Sequence, residues 1–117
     1  MNPWETLKRD VLEARLALCE TKRAFPHHCQ GGFELHHIMI TRNHTTGNPP
    51  AQRYAMHDIN VALLCSRAHG LMGRDPAVRA WLVQRAVSKH GERAVRAYLA
   101  QAPLKHHFTL ESLLLGP

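Results

Sequence analysis

Apolar side chains recur at helical spacing over the first part of the chain. Residues 2–24 carry them on one stripe, with Asn2 placed to cap a helix and Pro3 at its first turn. Pro26 interrupts the pattern, because proline lacks the backbone N–H that a helix interior needs. An amphipathic helix is therefore predicted here, with the following residues facing the core: Trp4, Leu7, Val11, Ala14 and Leu18.

Two short apolar runs in the middle of the chain predict extended segments. Residues 33–40 follow a pair of glycines and hold β-branched isoleucines, which predicts a strand. Residues 60–65 form the second run, which fits a second strand or an extended approach to a helix. The stretch 41–52 between them is rich in Thr, Asn, Gly and Pro, so a long loop without helix or strand is expected. Ser66 is placed to cap a helix that runs to about Met72.

The last part of the chain has a helical pattern. Asp75 and Pro76 are typical of a helix start, and Gly91 ends that helix. A further helix is predicted from Glu92 to about Ala102, and a short helical turn over residues 109–115. Together these patterns predict an α+β fold that is mostly helical.

A chain of 117 residues has room for about one hydrophobic core, so residues 1–117 are expected to form a single domain. Within it, residues 1–25 would form the N-terminal helix, residues 29–74 a central unit of two strands and a helix, and residues 75–117 the C-terminal helices.

The charge balance favours an acidic partner. Lys and Arg number 15 against 9 Asp and Glu, which gives a net charge of +6 and attraction to polyanions such as nucleic acid. Four arginines of the central unit could contact DNA phosphates, and a basic surface exposed to solvent is the alternative. They are Arg42, Arg53, Arg67 and Arg74. No run approaches the ~20 apolar residues of a membrane span, and no signal peptide is apparent, so a cytoplasmic protein without a membrane partner is expected.

Histidine is unusually frequent. Ten are present, and eight of them lie between His27 and His90. Imidazole can bind metal ions and transfer protons near neutral pH. Side chains alternate along a strand, so the neighbours His36 and His37 should point to opposite faces and divide these two tasks.

The segment Glu34-Leu35-His36-His37-Ile38 and the segment from Asn60 to His69 resemble the HNH endonucleases, a branch of the ββα-metal nucleases. The likeness rests on the histidine pair, on an Asn that opens an apolar run, and on a His nine residues after that Asn. It covers about residues 29–73. It implies a β-hairpin and helix that hold a divalent cation (Mg²⁺, Mn²⁺, Ni²⁺ or Zn²⁺) for hydrolysis of DNA.

The resemblance also implies a role for each residue of the motif. His36 corresponds to a metal ligand, His37 to the general base and His69 to a further ligand. Asn60 corresponds to a residue that positions the catalytic histidine or joins the metal shell. The small size implies weak sequence specificity, cutting at specific DNA structures, or delivery by a targeting or recombination partner, and the family suggests a phage or mobile-element origin.

The chain departs from the family pattern at two places. Some relatives have another metal-binding histidine where this chain has Gly73, and some have two CxxC pairs for a structural zinc. Here only Cys29 and Cys65 remain of those pairs. His27 or His28 could complete a mixed Cys/His zinc site with them, and two simply buried cysteines are the alternative.

Two other classes of protein remain open on the sequence. One is a nucleic-acid-binding module without catalysis, built on a zinc-knuckle-like scaffold. The other is a plain helical domain whose histidines are incidental.

Overall fold

A computed structural model describes residues 2–14 and 19–115 of the chain. The fold is α+β and 57% helical, and its sheet has two antiparallel strands, which confirms the predicted class in outline. No helix within the described ranges is both long and apolar enough to cross a membrane.

The N-terminal helix is shorter than predicted. Helix α1 spans Pro3–Ala14 and begins as expected, with the Glu5 backbone N–H donating to Asn2 Oδ1 at 2.8 Å. The prediction of helix up to residue 24 is wrong at its end: residues 20–24 form turns, because the Glu20 N–H donates to the Leu63 carbonyl at 2.8 Å instead of continuing the helix. Residues 15–18 of that prediction lie outside the described residues.

The two strands form a hairpin-like pair across a long connection. Strand β1 spans Phe33–His37 and strand β2 spans Val61–Cys65, with His37 opposite Val61 at one end of the ladder. Leu35 faces α1 and packs in a small cluster with these residues: Trp4, Leu7, Val11, Val61 and Leu63. The other face of the sheet belongs to the main core, which the C-terminal helices complete.

Strand β1 ends three residues earlier than predicted, and a buried asparagine explains why. Ile38, Met39 and Ile40 leave the sheet but stay buried. The Asn60 side chain is 0% exposed, and its Oδ1 accepts from the backbone N–H groups of Met39 at 3.0 Å and Ile40 at 2.9 Å. Its Nδ2 donates to the carbonyls of Ile40 at 2.9 Å and Ala55 at 3.0 Å. The amide thus replaces the ladder bonds that a longer strand would make.

The expected long loop over residues 41–52 is wrong, because two short helices occupy most of it. They are α2, Arg42–Thr45, and α3, Pro49–Ala55. Asn48 caps α3 by accepting from the Ala51 N–H at 3.2 Å, and the two prolines that follow it have a backbone angle suited to a first turn. The Asn and Pro residues that suggested a loop therefore form the start of helix α3.

The predicted C-terminal helices are confirmed with small shifts. A 3₁₀ turn over Asp58–Asn60 precedes β2, and then come α4 (Ser66–Met72), α5 (Pro76–His90), α6 (Glu92–Gln101) and α7 (Leu110–Leu115). The cap of α4 is Cys65 and not Ser66, since the Cys65 sulfur accepts from the Ala68 N–H at 3.3 Å. Asp75 caps α5 as predicted.

We expect Asn60→Ala to lower the free energy of unfolding by about 3–5 kcal/mol, because it leaves two N–H and two carbonyl groups buried without partners. Asn43→Ala, at an exposed asparagine, should change it by no more than about 0.5 kcal/mol. Urea denaturation of both variants measures the difference, and equal stabilities would contradict the structural role of Asn60.

Candidate functional site

A broad groove opens at the end of the sheet where β1 finishes. Residues of α1, β1, α2 and α4 form most of its walls. Its lining includes these histidine and charged side chains: Glu34, His36, His37, Arg42, His44, His69, Arg74 and Arg79. The groove therefore brings three residues of the histidine motif together with basic groups.

His36 and His69 lie side by side in this groove. Their ring centroids are 5.0 Å apart, with the planes inclined by 65°. Burial, with smaller contributions from His69 and His37, lowers the pKa of His36 to about 4, so its imidazole is neutral at physiological pH. A neutral imidazole has a lone pair available for a metal ion.

Gly73 directly follows α4 and lies close to the rings of His36 and His69. A Cβ built on it would lie 2.5 Å from the His69 carbonyl oxygen and 3.5 Å from Cε1 of His36. A side chain at this position would force the backbone to shift, so glycine allows the chain after α4 to pass close to the two imidazoles.

Glu34 orients His69. It lies two residues before His36 on β1 and therefore on the same face of the strand. Its Oε1 is 3.5 Å from His69 Nδ1, and a hydrogen bond from Ser66, together with His69, holds the pKa of the Glu34 carboxyl below its usual value. A carboxylate at Nδ1 leaves Nε2 of His69 as the nitrogen for a ligand in the groove.

His37 points to the opposite face from His36, where α1 covers it. The Trp4 indole stacks on its ring with centroids 5.0 Å apart and planes inclined by 18°. Burial lowers the pKa of His37, and the Arg42 charge lowers it further. The neighbouring histidines thus have separate surroundings, which agrees with the alternation expected for a strand.

The four arginines that were predicted to contact phosphates lie in two different places. Arg42 and Arg74 line the groove, whereas Arg53 and Arg67 are not part of its lining among the described residues.

Asn60 uses both lone pairs of its oxygen and both amide hydrogens on the backbone and is buried, so it holds the chain next to the motif.

A second group of possible ligands lies at the other end of the sheet. One atom each from Cys19, His27, Cys29 and Cys65 lies within 4.8 Å of the others. His27 Nε2 is 3.6 Å from the Cys19 sulfur and 3.5 Å from each of the other two sulfurs. In a tetrahedral zinc site with Zn–S of about 2.3 Å and Zn–N of about 2.0–2.1 Å, nitrogen and sulfur ligands are about 3.6 Å apart. The donor set and its spacing therefore fit a metal such as Zn²⁺.

The ligand atoms of this group are already oriented. His27 Nδ1 lies 2.8 Å from the Phe25 carbonyl, to which it can donate, and Nε2 then offers its lone pair to the centre of the group. Burial alone raises the pKa of the Cys65 thiol, but backbone hydrogen bonds from Ala68 and Gln30 outweigh it and bring the pKa to about 6. A thiolate, the form that binds zinc, is thus accessible at neutral pH.

The structure selects among the zinc ligands that the sequence suggested. Cys29, Cys65 and His27 come together, while His28 is exposed and outside the group. Cys19 was missed, because the helical pattern placed it inside a predicted helix. The chain has three cysteines, and an odd number does not suit a disulfide framework; that count is the signal in the sequence that includes Cys19, and none of the three is in a disulfide.

Arg79 of α5 was also missed, although it lines the groove. Its Nε donates to the Ile38 carbonyl at 3.0 Å and its Nη2 to the Met39 carbonyl at 2.7 Å. Nothing in the sequence links an arginine in a distant helix to the histidine motif.

Comparison of the chain with models of protein families, with curated proteins and with solved structures finds no match.

We expect the purified protein to bind one Zn²⁺ per chain through Cys19, His27, Cys29 and Cys65. Loss of a group that only hydrogen-bonds to a metal ligand weakens metal binding by about 10- to 100-fold, so His27→Ala, which removes a ligand itself, should weaken it by about 100-fold or more. His28→Ala is the matched control and should leave the affinity unchanged. Competition with a chromogenic chelator measures both, and equal zinc affinities of the two variants would contradict the assigned ligand set.

Proposed function

We propose that this chain is a metal-dependent DNA endonuclease of the HNH type, in which β1, β2 and α4 form a ββα-metal motif. The observation that carries the proposal is the placement of His36 and His69 side by side in an arginine-lined groove. His37 follows His36 on β1 and lines the same groove. The net charge of +6 supports a polyanionic substrate.

His36 and His69 are the residues that would hold a divalent cation in the groove. Glu34 keeps His69 oriented through Nδ1, and water or a phosphate oxygen in the groove would complete the ligand shell. A bound cation would stabilise the negative charge that develops on the phosphate and on the leaving oxygen.

His37 is the proposed general base. Its imidazole accepts a proton from the attacking water, and stacking on Trp4 fixes the plane of the ring during this transfer. Asn60 has a positioning role and no ligand role in the proposal, because its amide is fully engaged with the backbone that follows the histidine pair.

DNA binding is assigned to the groove arginines, Arg42 and Arg74. Contacts to phosphates position the duplex but read no bases. The proposed activity is therefore cleavage of double-stranded DNA with low sequence specificity or at particular DNA structures. A partner protein for targeting or recombination would supply any greater specificity.

Zinc at the cysteine group has a structural role in this proposal. The group connects the segment after α1, the approach to β1 and the first residue before α4. Because α4 carries His69, a metal at Cys65 would stabilise the helix that supplies one of the groove ligands.

A non-catalytic DNA-binding module is the second candidate. It is favoured by the contrast between the two sites: the cysteine group offers four donors at zinc-like spacing, whereas the groove pair offers two imidazoles. In that case the basic groove would bind DNA and zinc would serve the fold alone.

Plasmid nicking separates the two candidates. We expect wild type to convert supercoiled plasmid to open-circle or linear DNA with at least one of Mg²⁺, Mn²⁺, Ni²⁺ or Zn²⁺, and His37→Ala to be slower by about 10²- to 10⁴-fold. His106→Ala, an exposed histidine outside the groove, is the control and should match wild type. If wild type shifts DNA on a gel but leaves it intact with every ion, the binding module is the correct function.

The four arginines that were predicted to contact phosphates should differ in how much each contributes to the affinity for DNA. Arg42→Ala and Arg74→Ala should each raise the Kd for a short duplex about 5- to 10-fold, since each removes a phosphate contact in the groove. Arg53→Ala and Arg67→Ala remove the same charge elsewhere and should change the Kd by less than about twofold. Fluorescence anisotropy at one fixed salt concentration measures all four, and four equal losses would mean that the groove is not the binding surface.

A further inference from the structure

Arg79 carries a charge that no acidic side chain balances. Its guanidinium bonds two backbone carbonyls, those of Ile38 and Met39, and these are neutral acceptors. No carboxylate within the described residues forms an ion pair with it. Two of its five N–H groups are used in this way, so three remain for a further acceptor.

The surroundings of Arg79 make this imbalance costly. The side chain is half-buried, and burial lowers its pKa, which means that the charged form is penalised. The neighbouring groove groups include Arg42 and Arg74, which add positive charge. The one acidic side chain in the described lining, Glu34, already contacts His69 and Ser66.

Two other arginines of the C-terminal helices have an acidic partner. Arg85, on the same helix as Arg79, pairs with the Glu20 carboxylate at 3.1 Å, and Arg96 pairs with Glu111 at 2.6 Å. A half-buried cation without a counter-charge becomes favourable when an anion enters its site. Arg79 therefore differs from these arginines in a way that points to an anionic ligand.

We propose that Arg79 binds a phosphodiester of the DNA backbone and holds it beside the His36–His37 pair. The identification of the anion as DNA rests on the proposed function. A guanidinium offers its donors in a planar fork that matches phosphate oxygens, and Arg42 and Arg74 belong to the same basic lining, along which a backbone can run.

The carbonyl bonds of Arg79 explain how the phosphate would be placed. Ile38 directly follows His37, so a guanidinium fixed on the Ile38 and Met39 carbonyls is held at the end of the strand that carries both histidines. A donor fixed before the ligand arrives loses little conformational entropy on binding. Arg79 thus differs from an exposed arginine, which would have to be ordered by the DNA.

The test compares Arg79→Gln with Arg85→Gln, which removes the same charge from the same helix outside the groove. Binding of a 20-base-pair duplex is measured by anisotropy over a range of salt concentrations, in a His37→Ala background without added divalent ion. For Arg79→Gln we expect about tenfold weaker binding and a salt-dependence slope smaller by about 1. Arg79→Lys should keep the slope, and Arg85→Gln should keep both slope and affinity.

A purely structural role for Arg79 would give a different result. Arg79→Gln would then unfold at lower urea concentration but bind DNA with the slope and affinity of Arg85→Gln, and the proposal would be wrong. If Arg79→Gln does not fold, the Nε–Hε resonances of the unsubstituted arginines decide by NMR. Titration with the duplex should shift the Arg79 resonance and leave that of Arg85 in place, and an unmoved Arg79 resonance overturns the proposal.

Neither measurement needs cleavage. A protein that binds DNA through Arg79 but leaves plasmid intact would reject the nuclease function alone. Plasmid cleavage with an unaltered salt slope in Arg79→Gln would reject the phosphate role of Arg79 alone.

Discussion

The buried segment that follows the histidine pair is the constraint on which the groove depends. Ile38, Met39 and Ile40 leave the sheet inside the core, where backbone groups without partners are costly. Asn60 bonds the N–H groups of Met39 and Ile40, and Arg79 bonds the carbonyls of Ile38 and Met39. Two polar side chains, one before β2 and one on α5, therefore fix where β1 ends and where His36 and His37 point.

This arrangement separates two sites along one short sheet. His37 lies at the ladder end opposite Val61, while Cys65 lies at the other end, opposite Phe33. The cysteine group joins three separate segments of the chain, as expected of a structural metal in a small protein. The groove brings the imidazoles of His36, His37 and His69 together with basic side chains, as the proposed action on an anion requires.

Local signals in the sequence were sufficient for much of the fold and for part of the site. Asp75 and Pro76 located α5, and the spacing of His36, Asn60 and His69 identified residues that meet in or beside the groove. Long-range contacts could not be predicted in this way. Cys19 meets Cys65 through a turn that replaces the expected helix, and Arg79 reaches the segment after β1 from 40 residues away in the chain.

The proposed function requires two metals in one chain, a structural metal at the cysteine group and a catalytic one at the His36–His69 pair. Crystals of the protein with a short DNA duplex, grown with Zn²⁺ and soaked in Mn²⁺, would test this most directly, through anomalous difference maps at the two absorption edges. The account predicts a zinc peak enclosed by Cys19, His27, Cys29 and Cys65, and a separate manganese peak between His36 and His69. A zinc peak with no metal at the histidine pair, in crystals that also contain DNA, would contradict the catalytic site.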